Sequence, residues 1–234
     1  MFTFPIGLFQ QLSNNNNFST KLLLHFDGVN NSSTFADSAN NLPVFISGNT
    51  IISTVQNKFG GSSGYFDGNS SYIYVDSNEF NFGTSDFTIE AFIYLEELGK
   101  FGHTIFSKLL NNQYSRYAFY IDYTDKINFI QQDDFGNTVF ALTSLSTIVL
   151  QTWTHVAVSR SGNNFYLFVD GVLEVSNNNN IAISGTNGTF KIGALDPSNP
   201  PYDMYFHGYI DEFRVSSSAI YTNNFIPPTG AFDS

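Results

Sequence analysis

Hydrophobic and polar residues alternate with a period of two over much of the chain. In 87–94 (FTIEAFIY), Phe87, Ile89, Ala91 and Ile93 share one face, the pattern of a half-buried strand. The same alternation runs through 117–122, 155–160 (HVAVSR) and 165–169 (FYLFV). RSGNN at 160–164 joins two of these runs, and Asp170-Gly171 between FYLFV and VLEVS is the signal of a type I′ hairpin turn. Turn clusters recur throughout, and no segment keeps a 3.6-residue period long enough for a helix. The pattern predicts an all-β chain of roughly a dozen strands, arranged most simply as a two-sheet antiparallel β-sandwich. No internal repeat is visible, which argues against propellers and solenoids.

The first twenty residues depart from this pattern. An apolar stretch containing Phe2, Phe4, Pro5 and Phe9 is followed by a polar, Asn-rich spacer. Two units follow: an N-terminal arm and linker over 1–20, and a sandwich over 21–234. Exposed aromatic residues on an arm suggest a peg that docks on a neighbouring subunit.

Composition narrows the function classes. Nine basic residues against twenty acidic ones give a net charge of −11, and the basic residues stand singly. Binding to nucleic acid through a positive field is therefore not expected. The absence of cysteine removes disulfides and thiolate metal sites. No stretch reaches the ~20 apolar residues of a membrane span, and the start lacks the basic region and cleavage site of a signal peptide. No membrane insertion is expected.

Seven segments stand in order: LLLHFDG (22–28), FADSANN (35–41), KFGGSSGYFDGNSSYIYV (58–75), DFTIEAFIY (86–94), WTHVAVSRSGNNFYLFVDGVLEV (153–175), FKIGAL (190–195) and FHGYIDEFRVS (206–216). Together they resemble the concanavalin A-like, laminin-G-like jelly rolls, especially those of bacteriophage structural proteins and bacterial adhesins. The closing AIYTNNFIPPTGAF (219–232) looks like the tag that often follows this domain in virion-associated proteins. The resemblance implies two curved antiparallel sheets, a role in binding glycans or proteins, and in many members a calcium ion.

Candidate chemistry is judged residue by residue. Glycoside hydrolysis needs two carboxylates facing one bond. The six glutamates (79, 90, 96, 97, 174 and 212) do not begin the Glu-x-Asp-x-x-Glu pattern of glycosidases on this fold. Strict alternation in FHGYIDEFRVS places Asp211, Phe213 and Val215 on one face and Ile210, Glu212 and Arg214 on the other, with Glu212 and Arg214 paired. The chain is thus expected to be non-catalytic. No Gly-x-Ser-x-Gly elbow is present, and the four histidines (25, 103, 155 and 207) share no ligand spacing. Calcium fits better, because the Asp- and Asn-rich turns supply oxygen ligands. By the resemblance, Asp37 in FADSANN and Asp211 are the expected ligands. Glycan contacts are expected from loop tyrosines: Tyr202, Asp203 and Tyr205 on a proline-stiffened loop, and Tyr114 beside an Asn pair.

These readings converge on a structural or decoration protein of a phage-like virion, with a lectin-like fold. Its expected partners are other virion subunits through the arm and host-surface glycan, and homo-oligomers are compatible with it. The alternative is a bacterial surface or secreted carbohydrate-binding adhesin module, extracellular or at the cell surface.

Overall fold

The computed structural model describes residues 19–99, 101–109, 116–183, 188–195 and 204–233. Among the described residues there are fifteen strands. They are β1 (Thr20–Leu24), β2 (Phe45–Ser47), β3 (Ile51–Ser53), β4 (Ser63–Asp67), β5 (Tyr72–Val75), β6 (Phe87–Leu95), β7 (His103–Leu109) and β8 (Arg116–Ile121), followed by β9 (Lys126–Gln132), β10 (Thr138–Thr147), β11 (Thr154–Ser161), β12 (Asn164–Val169), β13 (Val172–Asn178), β14 (Phe190–Ile192) and β15 (His207–Ser216). One sheet runs β13-β12-β11-β6-β15-β4-β3, with β1 also on β15. The other runs β10-β9-β8-β7-β14-β5-β2, and every pairing is antiparallel. The expected jelly-roll sandwich is therefore present.

The alternating residues meet between the sheets. Phe87, Ile89, Ala91 and Ile93 of β6 all lie in the core, facing Tyr117, Phe119, Phe129 and Phe190 of the second sheet. Aromatic rings dominate the layer: Phe106 stacks on Phe190 at 5.4 Å, and Phe129 lies 6.4 Å from Phe165. Such pairs add about 0.5–1.5 kcal/mol each beyond their buried area. The Asp170-Gly171 turn forms as read, with positive φ at both residues (47° and 75°).

β15 is the spine of the first sheet. β6 pairs along one of its edges, while β4 and β1 share the other, taking His207–Ile210 and Phe213–Ser216 respectively. In its middle the alternation breaks. Asp211 faces Phe92 and Arg214 faces Glu90, so Glu212 and Phe213 together oppose a single residue of β6. This is a β-bulge, with Glu212 at φ 51°. The extra residue corrects the faces expected from strict alternation: Ile210, Phe213 and Val215 are in the core, and Asp211 and Arg214 are on the outer side. It also separates Glu212 from Arg214. Glu212 instead faces His25 Nδ1 at 3.0 Å and accepts from the Phe232 amide at 2.8 Å.

Residues 217–233 cross the outer face of this sheet as a strap. The Ile220 amide donates to Thr88 Oγ1, the Phe225 amide to the Gly171 carbonyl, and Phe232 packs with Leu23 and Phe92. Beneath the strap, fully buried Glu90 accepts from Arg214 (2.7 and 2.9 Å) and from the Tyr221 hydroxyl (2.9 Å), with His155 Nε2 at 3.0 Å. Burial acts to neutralise Glu90, but the Arg214 guanidinium and His155 outweigh it and keep the carboxylate ionised.

Candidate functional site

One end of the sandwich carries a cleft of about 470 Å³, within the usual range for small-molecule sites. Three segments build it. The first is the turn after β4, where Asp67 Oδ1 accepts the amides of Asn69, Ser70 and Ser71 at 2.9–3.0 Å. Burial pushes the Asp67 carboxyl up, yet these amides prevail and hold it well below the usual range. The second is the loop from β6 to β7, residues 96–102. Gly102, at φ 103°, lies so close to the Ile121 carbonyl that a Cβ would approach it to 2.1 Å, so only glycine fits there. The third is the approach to β15, tied down by Thr104 donating to the Met204 carbonyl and Phe206 to the Gly193 carbonyl.

The lining combines polar and apolar groups: Asn69, Glu97, Leu98, Phe101, His103, Met204, Tyr205 and His207, with glycine backbone between them. His207 sits between two carboxylates, Nδ1 at 2.8 Å from Glu97 and Nε2 at 3.4 Å from Glu96. His103 is buried, its Nδ1 3.2 Å from the Tyr205 carbonyl, and burial pushes its pKa down. Behind the rim, Tyr65 and Tyr209 lie 5.1 Å apart; burial and then Glu96 raise the Tyr209 phenol to about 12. The cleft thus offers fixed acceptors, a neutral imidazole and apolar patches, a surface suited to hydroxyl-rich ligands. Glu97 is its single carboxylate among the described residues.

Of the residues expected from sequence to touch glycan, Tyr205 lies in this cleft. Tyr114, Tyr202 and Asp203 lie outside the described residues, as do Phe2, Phe4, Pro5 and Phe9 of the arm. From sequence, Glu97, His103 and His207 were weighed only for glycosidase or metal chemistry, and none of them, nor Asn69, was expected to touch glycan. The available signal was LGKFGH at 98–103, whose paired glycines mark a constrained loop at a strand end.

The expected calcium ligands behave differently from one another. Asp37 is a turn anchor: its two oxygens accept four backbone amides, from Leu23, Ala39, Asn40 and Leu42, at 2.9–3.1 Å. A cation there would have to displace those donors, so Asp37 does not fit as a ligand. Asp211 Oδ2 accepts the Lys58 and Phe59 amides at 2.7 and 3.1 Å, while buried Oδ1 has no hydrogen-bond partner. Burial raises the Asp211 carboxyl to about 7. Among the described residues no three His, Asp or Glu side chains gather in a metal-holding group.

The family model of the concanavalin A-like lectin/glucanases superfamily matches residues 67–223, more than half of the chain. The protein belongs to that superfamily. No curated protein sequence matches it. Among solved structures, this lectin-like domain is similar to domain 4 of an extracellular GH43 arabinanase from Geobacillus stearothermophilus, solved in complex with arabinotriose. The TM-score is 0.69 at 18% identity, covering 87% of this chain and 95% of that one. It is also similar to the receptor-binding domain of botulinum neurotoxin mosaic serotype C/D (TM-score 0.64, 18% identity, 87% of this chain). A botulinum neurotoxin type C structure, described as dependent on two ganglioside molecules for cell entry, matches at TM-score 0.62 and 16% identity over 87% of this chain. The chain spans about half the length of those toxin chains. These neighbours are mostly binding domains, and at such identities they establish the shared fold.

Proposed function

We propose that this concanavalin A-like domain is a non-catalytic carbohydrate-binding module whose ligand lies in the cleft between the 67–71 turn, the 96–102 loop and Tyr205. The observation that carries this reading is the lining itself. Among the described residues Glu97 is the one carboxylate that lines the cleft, standing among imidazoles, an amide and aromatic edges, a lining that suits hydroxyl recognition and differs from the facing carboxylate pair of a glycosidase. Asp211 and Glu212 supply no alternative pair, since both are fully buried. The arabinotriose complex of domain 4 of the arabinanase supports saccharide as the ligand class.

The test is titration calorimetry against a glycan panel that includes arabinotriose, with calcium and with chelator. Glu97→Gln and Tyr205→Ala should each weaken binding about tenfold, roughly the loss of one good polar contact. Wild-type affinity in both variants, or no binding by any glycan, would sink the reading. Any calcium effect should vanish in Asp211→Asn, because Asp211 holds the unpartnered oxygen.

The wider setting follows from the likeness of the seven ordered segments to phage structural proteins and adhesins: a module displayed on a virion, or on a cell surface, and held there by residues 1–20. Deleting 1–18 should then abolish incorporation into the carrier and leave the sandwich folded.

A further inference from the structure

The outer face of the second sheet carries a row of aromatic side chains that the cleft does not use. Phe45 of β2 and Tyr74 of β5 are cross-strand partners whose rings stack at 5.2 Å and 20°. Tyr72, two residues before Tyr74 on the same face, lies 6.1 Å away, while Ile73 and Val75 between and beyond them point into the core. Lys191 of β14 is the next partner of Tyr74 across the sheet, with its ammonium 5.9 Å from the Tyr72 ring. Phe45 is 45% exposed, and Tyr72 and Tyr74 are half-buried. The row ends at β7, where Ser107 donates to the Ala194 and Leu195 carbonyls and the chain begins to cover the sheet.

We infer that Phe45, Tyr72 and Tyr74 form a stacking platform for a neutral polysaccharide chain, an extension of the cleft ligand rather than a separate ligand. The Phe45 and Tyr74 rings lie nearly parallel, at 20°, with Tyr72 tilted 45° from Tyr74; on a sheet face they offer apolar surface to sugar rings, and the tyrosyl hydroxyls and Lys191 border them with polar groups for hydroxyls. Phe45 and Tyr74 sit one strand spacing apart and Tyr72 lies two residues along β5, so ring centroids 5.2 and 6.1 Å apart give the row the reach of a short oligosaccharide. Continuity with the cleft comes from the 67–71 turn: Asn69 lines the cleft, and Tyr72 opens the platform three residues later.

Charge and size favour this occupant over others. A chain of net charge −11 repels acidic polysaccharides at long range, so the ligand is neutral. Three aromatic side chains bury at most ~750 Å² even from full exposure, and two of these start half-buried. A stable protein partner needs about 800 Å² from each side.

This inference rests on the cleft reading, and chain length separates the two. Neutral oligosaccharides derived from arabinan, xylan and glucan are titrated as trimers and as octamers against the full chain. For a bound type, the octamer should bind about tenfold more tightly than the trimer, the worth of one or two stacked rings. Phe45→Ala and Tyr74→Ala, singly and together, should erase that gain and leave trimer affinity and melting temperature unchanged. Tyr72→Ala is a third, independent probe. An octamer gain that survives in every one of these variants, or no gain in the wild type, overturns the platform and leaves the cleft standing. Failure of every oligosaccharide to bind overturns both. A concentration-dependent dimer abolished by Phe45→Ala would assign the row to self-association and overturn the proposal.

Discussion

Asp211 shows how one side chain can read as functional and act structurally. Its Oδ2 fastens the 58–59 backbone to β15, while Oδ1 sits buried without a partner. Because burial lifts its carboxyl from the ordinary carboxylate range to about 7, the proton is held more tightly folded than unfolded. Its stabilising protonation is complete below about pH 4 and is lost as pH rises through about 7. Asp211→Asn removes this dependence but buries an amide nitrogen without an acceptor. Denaturant titrations should show the variant gaining on the wild type between pH 5 and pH 8, by up to about 3 kcal/mol. A constant difference across that range would mean that Asp211 does not titrate there. Alternation placed this carboxylate on the face of Phe213 and Val215, and the bulge turns it to the other; that its partners are the amides of residues 58 and 59 was beyond the reach of sequence, because those lie about 150 positions away. Glu90 teaches the complement. Alternation put it on the outer face of β6, where exposure is the default, and only the returning strap buries it. Arg214→Met should cost about 3–5 kcal/mol in unfolding free energy by stranding Glu90. Glu90→Leu with Arg214→Met should recover much of that loss, and strictly additive effects in this double-mutant cycle would disprove the coupling.

At the scale of elements, periodicity identified strands reliably where they are long and failed where one residue is inserted. β6, β11 and β12 follow the expected alternation, but the β15 bulge moved Ile210 to the core face with Phe213 and Val215 and put Asp211 on the outer face with Arg214. Nothing in IDEFRV marks a left-handed residue, since glutamate is not one that favours φ of 51°. The 3-residue strands β2, β3 and β14 were likewise too short for a period to register. The strap depends on the β12–β13 turn: a Cβ on Gly171 would come 2.1 Å from the Phe225 carbonyl oxygen. Gly171→Ala should therefore lift Phe225 from its 3.6 Å stack on Tyr221 and destabilise the protein by about 1–3 kcal/mol. Limited proteolysis should then cut within 219–230 faster than in the wild type; unchanged cleavage would show that the strap is held elsewhere.

For the molecule as a whole, the fold was legible because many weak signals agreed: period-two runs, hairpin turns and ordered segments all describe one sandwich. The cleft was less legible. Its three walls are separated by about 25 to more than 100 residues in sequence, and only Tyr205 among them was expected to face ligand. The platform was half visible, since YIYV at 72–75 alternates as an outward tyrosine pair, but its partner Phe45 belongs to a strand too short to find.

β15 starts at the cleft with His207 and ends at Ser216, which pairs with Thr20, while the Ser217 amide donates to the Ser19 carbonyl. A ten-residue strand spans roughly 30 Å. The molecule therefore has two poles. Ser19 lies at the pole opposite the cleft, so under the proposed function a carrier joined there would hold the domain like a lamp on a post, with the cleft turned outward. A bulky protein fused ahead of Ser19 should leave glycan affinity unchanged, whereas the same insertion within 99–102 should abolish it; equal losses from both would show that the poles are not independent.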